Sequence, residues 1–469
     1  MLKNLYNGAN ISIKVGKDVS GSVPLREGLL QGEILSPLLF AIYINDLEDY
    51  LRKSKLSDIN VDGETDIILL AYGDDLALVS DPPISLQRKL NILGRYCDAN
   101  LLTINVAKTK ILPFHQGRSP EPRIFKYNES VLEVVNNFCY LGVNFSSSGK
   151  FLVNKTFIQN KASAKVNNIL AKGCSQSWGE KKILLESIVK SVVLYAAKIW
   201  GVNYVDKLET TQLRFLKGLL KCSRSTPNSM LRAETGTDHI CSQIIKRALT
   251  WLYKSYNMEN HRFPRLIIQR LVRLDVTTES NELNWFTQLR SLLARYDIVM
   301  PELSMLSKAA IRIITDKVIS FNRNKDLVTV NNCKFNDYYK YIKRTFNTEN
   351  YLLERLPIAK ARMIANIRMT NKHNVSIYYK NLKYQWNTTE ICMNCNLQED
   401  ETLHHFLFRW PLYQQFRNFY LNTHLPTSDV DVENPEICSL MSNLNSVKVN
   451  NIFLFMVESL ALRSFSINE

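Results

Sequence analysis

Hydrophobic and polar positions change rhythm along this chain. Ile11 to Val15 alternates as a short strand does. Leu35 to Leu51 carries apolar residues at helical spacing with Pro37 in the first turn, which predicts a helix. Ile68 to Ser80 reads ILLAYGDDLALVS, two apolar runs around Gly73-Asp74-Asp75, and predicts strand, turn and strand. A helix from about Ser85 to Asn100 and a short strand over Leu102 to Phe114 follow. HQGRSPEP, His115 to Pro122, reads as a loop and a subdomain seam, and a further strand pair surrounds Val131 to Phe145. From about Leu152 the pattern turns helical. Leu184, Ile188, Val192, Tyr195 and Ile199 form a stripe that predicts a core-facing helix, and Leu208–Leu220, Ile244–Tyr256 and Leu266–Leu274 behave alike. A mixed front and a helical remainder predict an α+β protein with a mainly α-helical C-terminal region.

Composition narrows the partner more than the fold. The 469 residues, 45% hydrophobic, can build real cores in about two to four domains. There are 59 Lys+Arg against 44 Asp+Glu, a net charge of +15. That excess suits a polyanion, nucleic acid before anionic membrane, and equally suits a merely soluble basic protein. The uncharged apolar stretch near the front, Ile34 to Asn45, falls short of the roughly 20 residues a membrane-spanning helix needs. The first residues, MLKNLYNGANISIKVGKD, have no continuous apolar run, so no secretory signal is predicted. Nine cysteines, an odd count and mostly scattered, fit a reducing compartment.

Asp74 and Asp75 raise a physical question. Burying one uncompensated carboxylate costs several kcal/mol, and adjacent anions repel. A turn that projects both into a cleft, over buried strands, would offer oxygen ligands to a hard divalent ion such as Mg²⁺. Ordinary turn chemistry explains the same residues without a metal. About 40 residues earlier lies EGLLQGEILSPLLFAIYINDL, Glu27 to Leu47, in which Gly28 and Gly32 bracket Gln31 ahead of a helix opened by Ser36-Pro37.

GLLQGEILSPLLFAIYINDL followed by AYGDDLALVS resembles the reverse transcriptases of non-LTR (LINE-type) retrotransposons. Their usual pattern is G-x-x-Q-G-x-x-L-S-P-L-L-F-x-x-Y-I-N-D-L and then (F/Y)-A-D-D. This chain departs from the second block only at Gly73. Glycine there also occurs in viral RNA polymerases, but the first block favours the retroelement. INVAKTKILPF resembles the family's N-x-x-K-T-K segment, FCYLGVNFSSSG its primer-grip hairpin, and LYAAKIWG with RSTPNSMLRAETG the helices after the thumb.

The resemblance implies a right-hand polymerase, with part of the palm and the thumb present, copying an RNA template from a DNA primer with dNTP. Asp74 and Asp75 would be palm carboxylates in a two-metal Mg²⁺ site, with Asp74 the direct ligand. Gln31 and Gly32 would lie against nucleotide and template. Lys108 and Lys110 could face the nucleotide's phosphates or donate a proton; as solvated strand ends they would do neither. The family's palm needs another aspartate from an earlier strand, and neither Asp18 nor Glu27 has the flanking pattern. The expectation is a polymerase fragment of little or no activity alone, lacking the endonuclease; a non-catalytic nucleic-acid-binding remnant is the alternative. The resemblance divides the chain into a partial palm and fingers (1–115), primer grip and thumb (116–240), helical connector (241–380) and a zinc-knuckle-like end (381–469). It places the protein inside the cell, in cytoplasm, nucleus or both, with no membrane.

Near the end, ICMNCNLQEDETLHHFLFRWPLY carries Cys392, Cys395 and the pair His404-His405. Thiolates and imidazole at such spacing suit zinc. The segment resembles the family's C-x-x-C…E-T-x-x-H-x-x-x-x-C-P-x-Y knuckle, which makes His405 the third ligand and puts Trp410 where the last cysteine belongs. His404, His424 or Cys438 would have to complete the site; otherwise it is a decayed knuckle. YYKNLKYQW (Tyr378 to Trp386) and DYYKYIKRTF (Asp337 to Phe346) interleave aromatics with basic residues. That pattern stacks bases and neutralises phosphates, or gives a helix with an apolar stripe and a solvated face.

Overall fold

The computed structural model describes residues 10–24, 28–29, 32–54, 56, 59–117, 123–171, 177–277, 282–380, 382–392, 395–421 and 434–467. The chain divides into two compact units, 1–138 and 139–469. Both helices and strands are present, and no helix among the described residues is long and apolar enough to cross a membrane.

In the first unit the strands pair in small ladders. Asn10–Ile11 pairs with Val23–Pro24 and Lys14–Val15 with Asp18–Val19, so the predicted strand over 11–15 is two short pieces joined by a bend. Leu69–Tyr72 pairs with Asp75–Leu78, as the apolar runs around Gly73 predict. A three-stranded sheet runs in the order Phe125–Tyr127, Ser130–Val134, Lys110–Ile111, its last pair parallel. The predicted strand over 102–114 therefore contracts to Lys110–Ile111.

The Pro83–Ala99 helix organises this unit. Its Ile92, Leu93, Tyr96 and Cys97 bury against Leu47, Leu51, Ile68 and Leu69. Leu90, on the neighbouring face, joins Ile111, Phe125, Tyr127 and Leu132. Each such aliphatic side chain contributes about 1.5–3 kcal/mol. The predicted helix over 35–51 is two, Ser36–Tyr43 and Leu47–Arg52. The break at Ile44–Asp46 has local causes: the Asp46 carboxylate accepts from the Tyr96 hydroxyl at 2.6 Å, and the Tyr43 hydroxyl donates to the Asn100 carbonyl at 2.7 Å. It lets Leu47 and Leu51 reach the core while Leu38 and Ile42 stay exposed.

In the second unit one continuous core runs from Ile158 to Leu460. Leu152–Ala171, Val205–Leu220, Ile240–Tyr256, Lys308–Asn331, Ile358–Arg368 and Ser446–Ile467 are its long helices. Ile244, Ile245, Ala248, Leu249 and Leu252 make a fully buried stripe at helical spacing. The stripe predicted at Leu184–Ile199 is displaced by one residue. Leu185, Val189, Val193, Ala197 and Trp200 are buried, whereas Tyr195 and Ile199 are exposed. The offset is present from Leu185 onward, and a π-helical turn at Leu185–Val189 and the left-handed Ala196 (φ 48°) interrupt the straight 3.6-residue period after it.

The two aromatic-basic segments differ. In DYYKYIKRTF, Tyr338, Tyr339 and Lys343 are buried, so this stretch belongs to the core. YYKNLKYQW is not helical: it lies in an antiparallel hairpin, Asn374–Tyr379 with Leu382–Asn387.

Candidate functional site

The Leu69–Leu78 hairpin is anchored at its base and open at its tip. Leu69 faces Leu78, Ala71 faces Leu76 and Tyr72 faces Asp75, leaving Gly73-Asp74 as a two-residue turn. Ile68 and Leu69 are buried. The buried Lys89 donates its ammonium to the Val79 carbonyl at 2.8 Å, tying the base to the Pro83–Ala99 helix. At the tip Tyr72, Gly73, Asp74 and Asp75 are all exposed. Water therefore solvates both carboxylates, and the burial penalty that the flanking apolar runs suggested does not arise. Both are open to solvent, where a cation or a polyphosphate–metal complex can reach them.

Gly73 has φ +61°, the left-handed region that a Gly at the first turn position of a two-residue hairpin adopts. Nothing lies within 4 Å of a Cβ added there. Gly73→Ala is thus expected to cost about 1 kcal/mol through backbone strain alone, read as a shift in the urea midpoint. No measurable change would contradict the turn assignment.

The remaining sequence-predicted residues are placed as follows. Gly28 and Gly32 both have positive φ (+85° and +93°), so this loop does depend on glycine, while Gln31 and Glu27 lie outside the described residues. Lys108 is exposed, its backbone N–H held by the Asn105 side chain at 3.1 Å. Lys110 is engaged: its ammonium sits 2.6 Å from the Glu133 carboxylate on the adjacent strand. Among the described residues, no third His, Cys, Asp or Glu joins Asp74 and Asp75 in a cluster able to hold a metal. The hairpin offers two oxygen ligands and does not by itself complete a two-metal centre.

The second constellation does assemble. Cys392, Cys395 and His405 present ligand atoms all within 4.8 Å of one another. Cys395 Sγ and His405 Nε2 are 3.4 Å apart, while His405 Nδ1 lies 3.0 Å from Glu399 Oε2. That carboxylate, kept below its usual range by hydrogen bonds first from His405 and then from Arg409, orients the ring and leaves Nε2 toward the thiols. Sequence reasoning missed Glu399; its signal was an acid six residues before the histidine, inside the same tight loop.

His404 turns instead to Glu436, and Cys438 packs toward the Tyr338 carbonyl, its thiol pushed up to about 11 by burial. Neither completes the trio, and His424 lies outside the described residues. Trp410 is wholly buried against Tyr413, ring centroids 4.3 Å apart, with the Arg463 guanidinium over its face. An indole stacked in this way is a packing residue, and it gives this loop a core where a fourth thiolate would give it a ligand.

Comparison with known proteins bears on the first unit most directly. A family model described as reverse transcriptase (RNA-dependent DNA polymerase) matches residues 1–145. The RNA-directed DNA polymerase from mobile element jockey of Drosophila funebris is 22% identical over 229 residues, 46% of this chain and 24% of that protein. The retrovirus-related Pol polyprotein from type-1 retrotransposable element R2 of Popillia japonica is 30% identical over 148 residues, 30% of this chain and 24% of that protein. The probable RNA-directed DNA polymerase from transposon BS of Drosophila melanogaster is 22% identical over 259 residues, 52% of this chain and 28% of that protein. The matched part thus spans about a quarter of each of these relatives. Residues 1–145 match a reverse transcriptase domain, and the chain resembles the reverse transcriptases of non-LTR retrotransposons.

Proposed function

We propose that this chain is part of the RNA-directed DNA polymerase of a LINE-type retrotransposon, taking an RNA template, a DNA primer and dNTP. The observation that carries this reading is the pair Asp74 and Asp75, both exposed, one on the two-residue turn and the other opening the strand after it, within the segment that matches reverse transcriptases. Asp74 is the direct Mg²⁺ ligand and Asp75 the auxiliary one. Mg²⁺, when bound, would activate the primer hydroxyl and stabilise the leaving pyrophosphate. Gln31 and Gly32 are assigned to nucleotide and template binding. Lys108 rather than Lys110 meets the phosphates, because the Lys110 ammonium is already held by Glu133. The parts divide as 1–115, 116–240, 241–380 and 381–469, and the protein works in cytoplasm or nucleus.

The primer grip falls on the hairpin of Asn137–Tyr140 and Val143–Ser146. Leu141 and Gly142 take positive φ (48° and 75°) at its turn, and the Tyr195 hydroxyl donates to the Leu141 carbonyl at 2.8 Å. With two carboxylates and no third ligand among the described residues, extension by this chain alone is low. The same observation supports a second reading, a non-catalytic nucleic-acid-binding remnant. Mg²⁺-dependent primer extension by the wild-type chain and by Asp74→Asn separates the two.

Cys392, Cys395 and His405 form a three-ligand zinc site whose fourth position is left to water. Co²⁺ is expected to bind 1:1 with tetrahedral d–d bands, and Glu399→Gln to weaken it about tenfold by freeing the imidazole. A titration with no 1:1 complex would leave the loop a purely packed structure.

A further inference from the structure

The outer face of the Asn374–Asn387 hairpin has no part in the polymerase reading. Strand alternation sends Val375, Ile377 and Trp386 into the core, and Tyr379 packs edge-on to Phe453. The same alternation turns Asn374, Ser376, Lys383 and Gln385 the other way, with Ser376 opposite Gln385. These four side chains form one wall of a cleft of about 330 Å³. Ser223, Ser225 and Thr226, in the turn after the Val205–Leu220 helix, form another. Asn366 and Met369, at the end of the Ile358–Arg368 helix, contribute the buried side, with Thr370 and Asn371 beyond them.

The chemistry of this lining is selective. It holds hydroxyls, carboxamides, one thioether, one thiol and a single cation, Lys383, and no lining residue is acidic. Without carboxylates it is a poor cation site; with one ammonium it is a poor site for a dense polyanion; without an apolar wall it does not suit a lipid. Donors and acceptors at this density match the edge of a nucleobase and the hydroxyls of a sugar. The rim supplies what the interior lacks. Lys221 immediately precedes the lining Cys222, and Arg224 sits between the lining Ser223 and Ser225. Lys217 and Arg362 are committed to the backbone, donating to the Arg224 and Leu219 carbonyls at 2.9 and 2.6 Å, whereas Arg224 is exposed. Tyr378 stands directly across from the lining Lys383 on the outer face of the hairpin.

We propose that this cleft holds one nucleotide of a single-stranded polynucleotide, base inward among the hydroxyls and carboxamides, with the neighbouring phosphates on the Lys221–Arg224 rim. The site lies wholly within 139–469 and makes no use of Asp74 or Asp75, so it stands or falls apart from catalysis. RNA and DNA share the chemistry, and the test distinguishes them.

Fluorescence anisotropy of the full chain with labelled rU₁₂ and dT₁₂ over a range of salt provides that test. The neutral variant Ser376→Ala/Gln385→Leu, on an outer strand face, is expected to weaken binding about tenfold, the equivalent of two lost hydrogen bonds. The slope of log Kd against log salt stays unchanged, because no phosphate contact is removed. Lys383→Ala reduces both affinity and slope. Equal losses on the two oligomers indicate contacts to base alone; a loss confined to rU₁₂ identifies RNA through its 2′-hydroxyl, and one confined to dT₁₂ identifies DNA. Wild-type binding that the neutral variant leaves intact, with only Lys383→Ala weakening it, would overturn the proposal in favour of unspecific charge attraction. Failure of the wild-type chain to bind either oligomer would overturn it too. Unchanged thermal midpoints of the variants exclude misfolding as the cause of a loss.

Discussion

Glu234→Ala is expected to destabilise the 139–469 unit by about 3–5 kcal/mol, because it leaves a buried guanidinium with one of its two carboxylates and two buried tyrosine hydroxyls without their acceptor. Glu234 and Arg368 are both fully buried, with Arg368 Nε 2.7 Å from Glu234 Oε1. The Tyr339 and Tyr351 hydroxyls donate to the same carboxylate at 2.8 and 2.7 Å. Arg368 also reaches Glu349 at 2.9 Å and the Met441 carbonyl, and Glu349 pairs with the buried Lys343. One carboxylate thereby ties together Asn228–Thr235, Tyr339–Ile342, Asn350–Leu353 and Ile358–Arg368. Since whole domains hold only about 5–15 kcal/mol, urea titration followed by tryptophan fluorescence would show a large fall in midpoint. Tyr351→Phe removes one hydrogen bond and is expected to cost much less, about 1 kcal/mol. In the Glu234→Ala/Arg368→Met double variant the loss should be smaller than the sum of the single losses, since no orphaned charge remains. A Glu234→Ala cost below about 1 kcal/mol would contradict the network's role.

The pH dependence follows from the same contacts. Burial pushes the Glu234 carboxyl up, but the Arg368 charge and hydrogen bonds, aided by Lys343 and Tyr351, more than reverse this and leave it below its usual 4.5. A depressed folded value means the contribution is complete above about pH 4.5 and fades as pH falls through the lower folded value. Acid unfolding of the second unit should therefore begin below pH 4.5 and shift upward in variants that weaken the network.

Asp74→Asn is expected to bring the already low Mg²⁺-dependent extension of a DNA primer on an RNA template down to background. The substitution keeps the shape of the side chain and removes the charge that would hold the ion. Because Asp74 is exposed and outside the core, its effect on stability should stay within about 0.5 kcal/mol. Loss of turnover with an unchanged urea midpoint is thus the signature of a metal ligand. Extension unaffected by the substitution would remove the hairpin from the chemistry. If the wild-type chain binds primer–template yet extends nothing, the non-catalytic reading prevails.

Much of the candidate site was legible because it is local. A hairpin with a two-residue turn is written in thirteen consecutive residues, and Gly73 at φ +61° meets a demand that the sequence spelled out. Cys392, Cys395 and His405 were likewise close enough in sequence to be grouped, and the fold brings them together. What escaped was non-local or broke a period. Glu234 and Arg368 are 134 positions apart, and nothing in either neighbourhood marks them as partners. The Leu184–Ile199 stripe was read as one straight helix, whereas its buried positions start at Leu185 and a π-helical turn and the left-handed Ala196 interrupt it. Tyr378 to Trp386 satisfies helical and alternating patterns alike. The left-handed Lys380 (φ 45°), in the turn between the two strands, marks it as a hairpin, and that conformation is not visible in composition.

On the proposed reading, the Gly73–Asp75 tip of the hairpin is the metal-bearing edge of a polymerase palm. Iron-mediated backbone cleavage measures this most directly, with Fe²⁺ replacing Mg²⁺ in the presence of primer–template and dNTP. Scission is expected centred on residues 72–76, suppressed by excess Mg²⁺ and lost in Asp74→Asn/Asp75→Asn. Cleavage elsewhere with none at this turn, or cleavage at the turn that survives the double substitution, would contradict it.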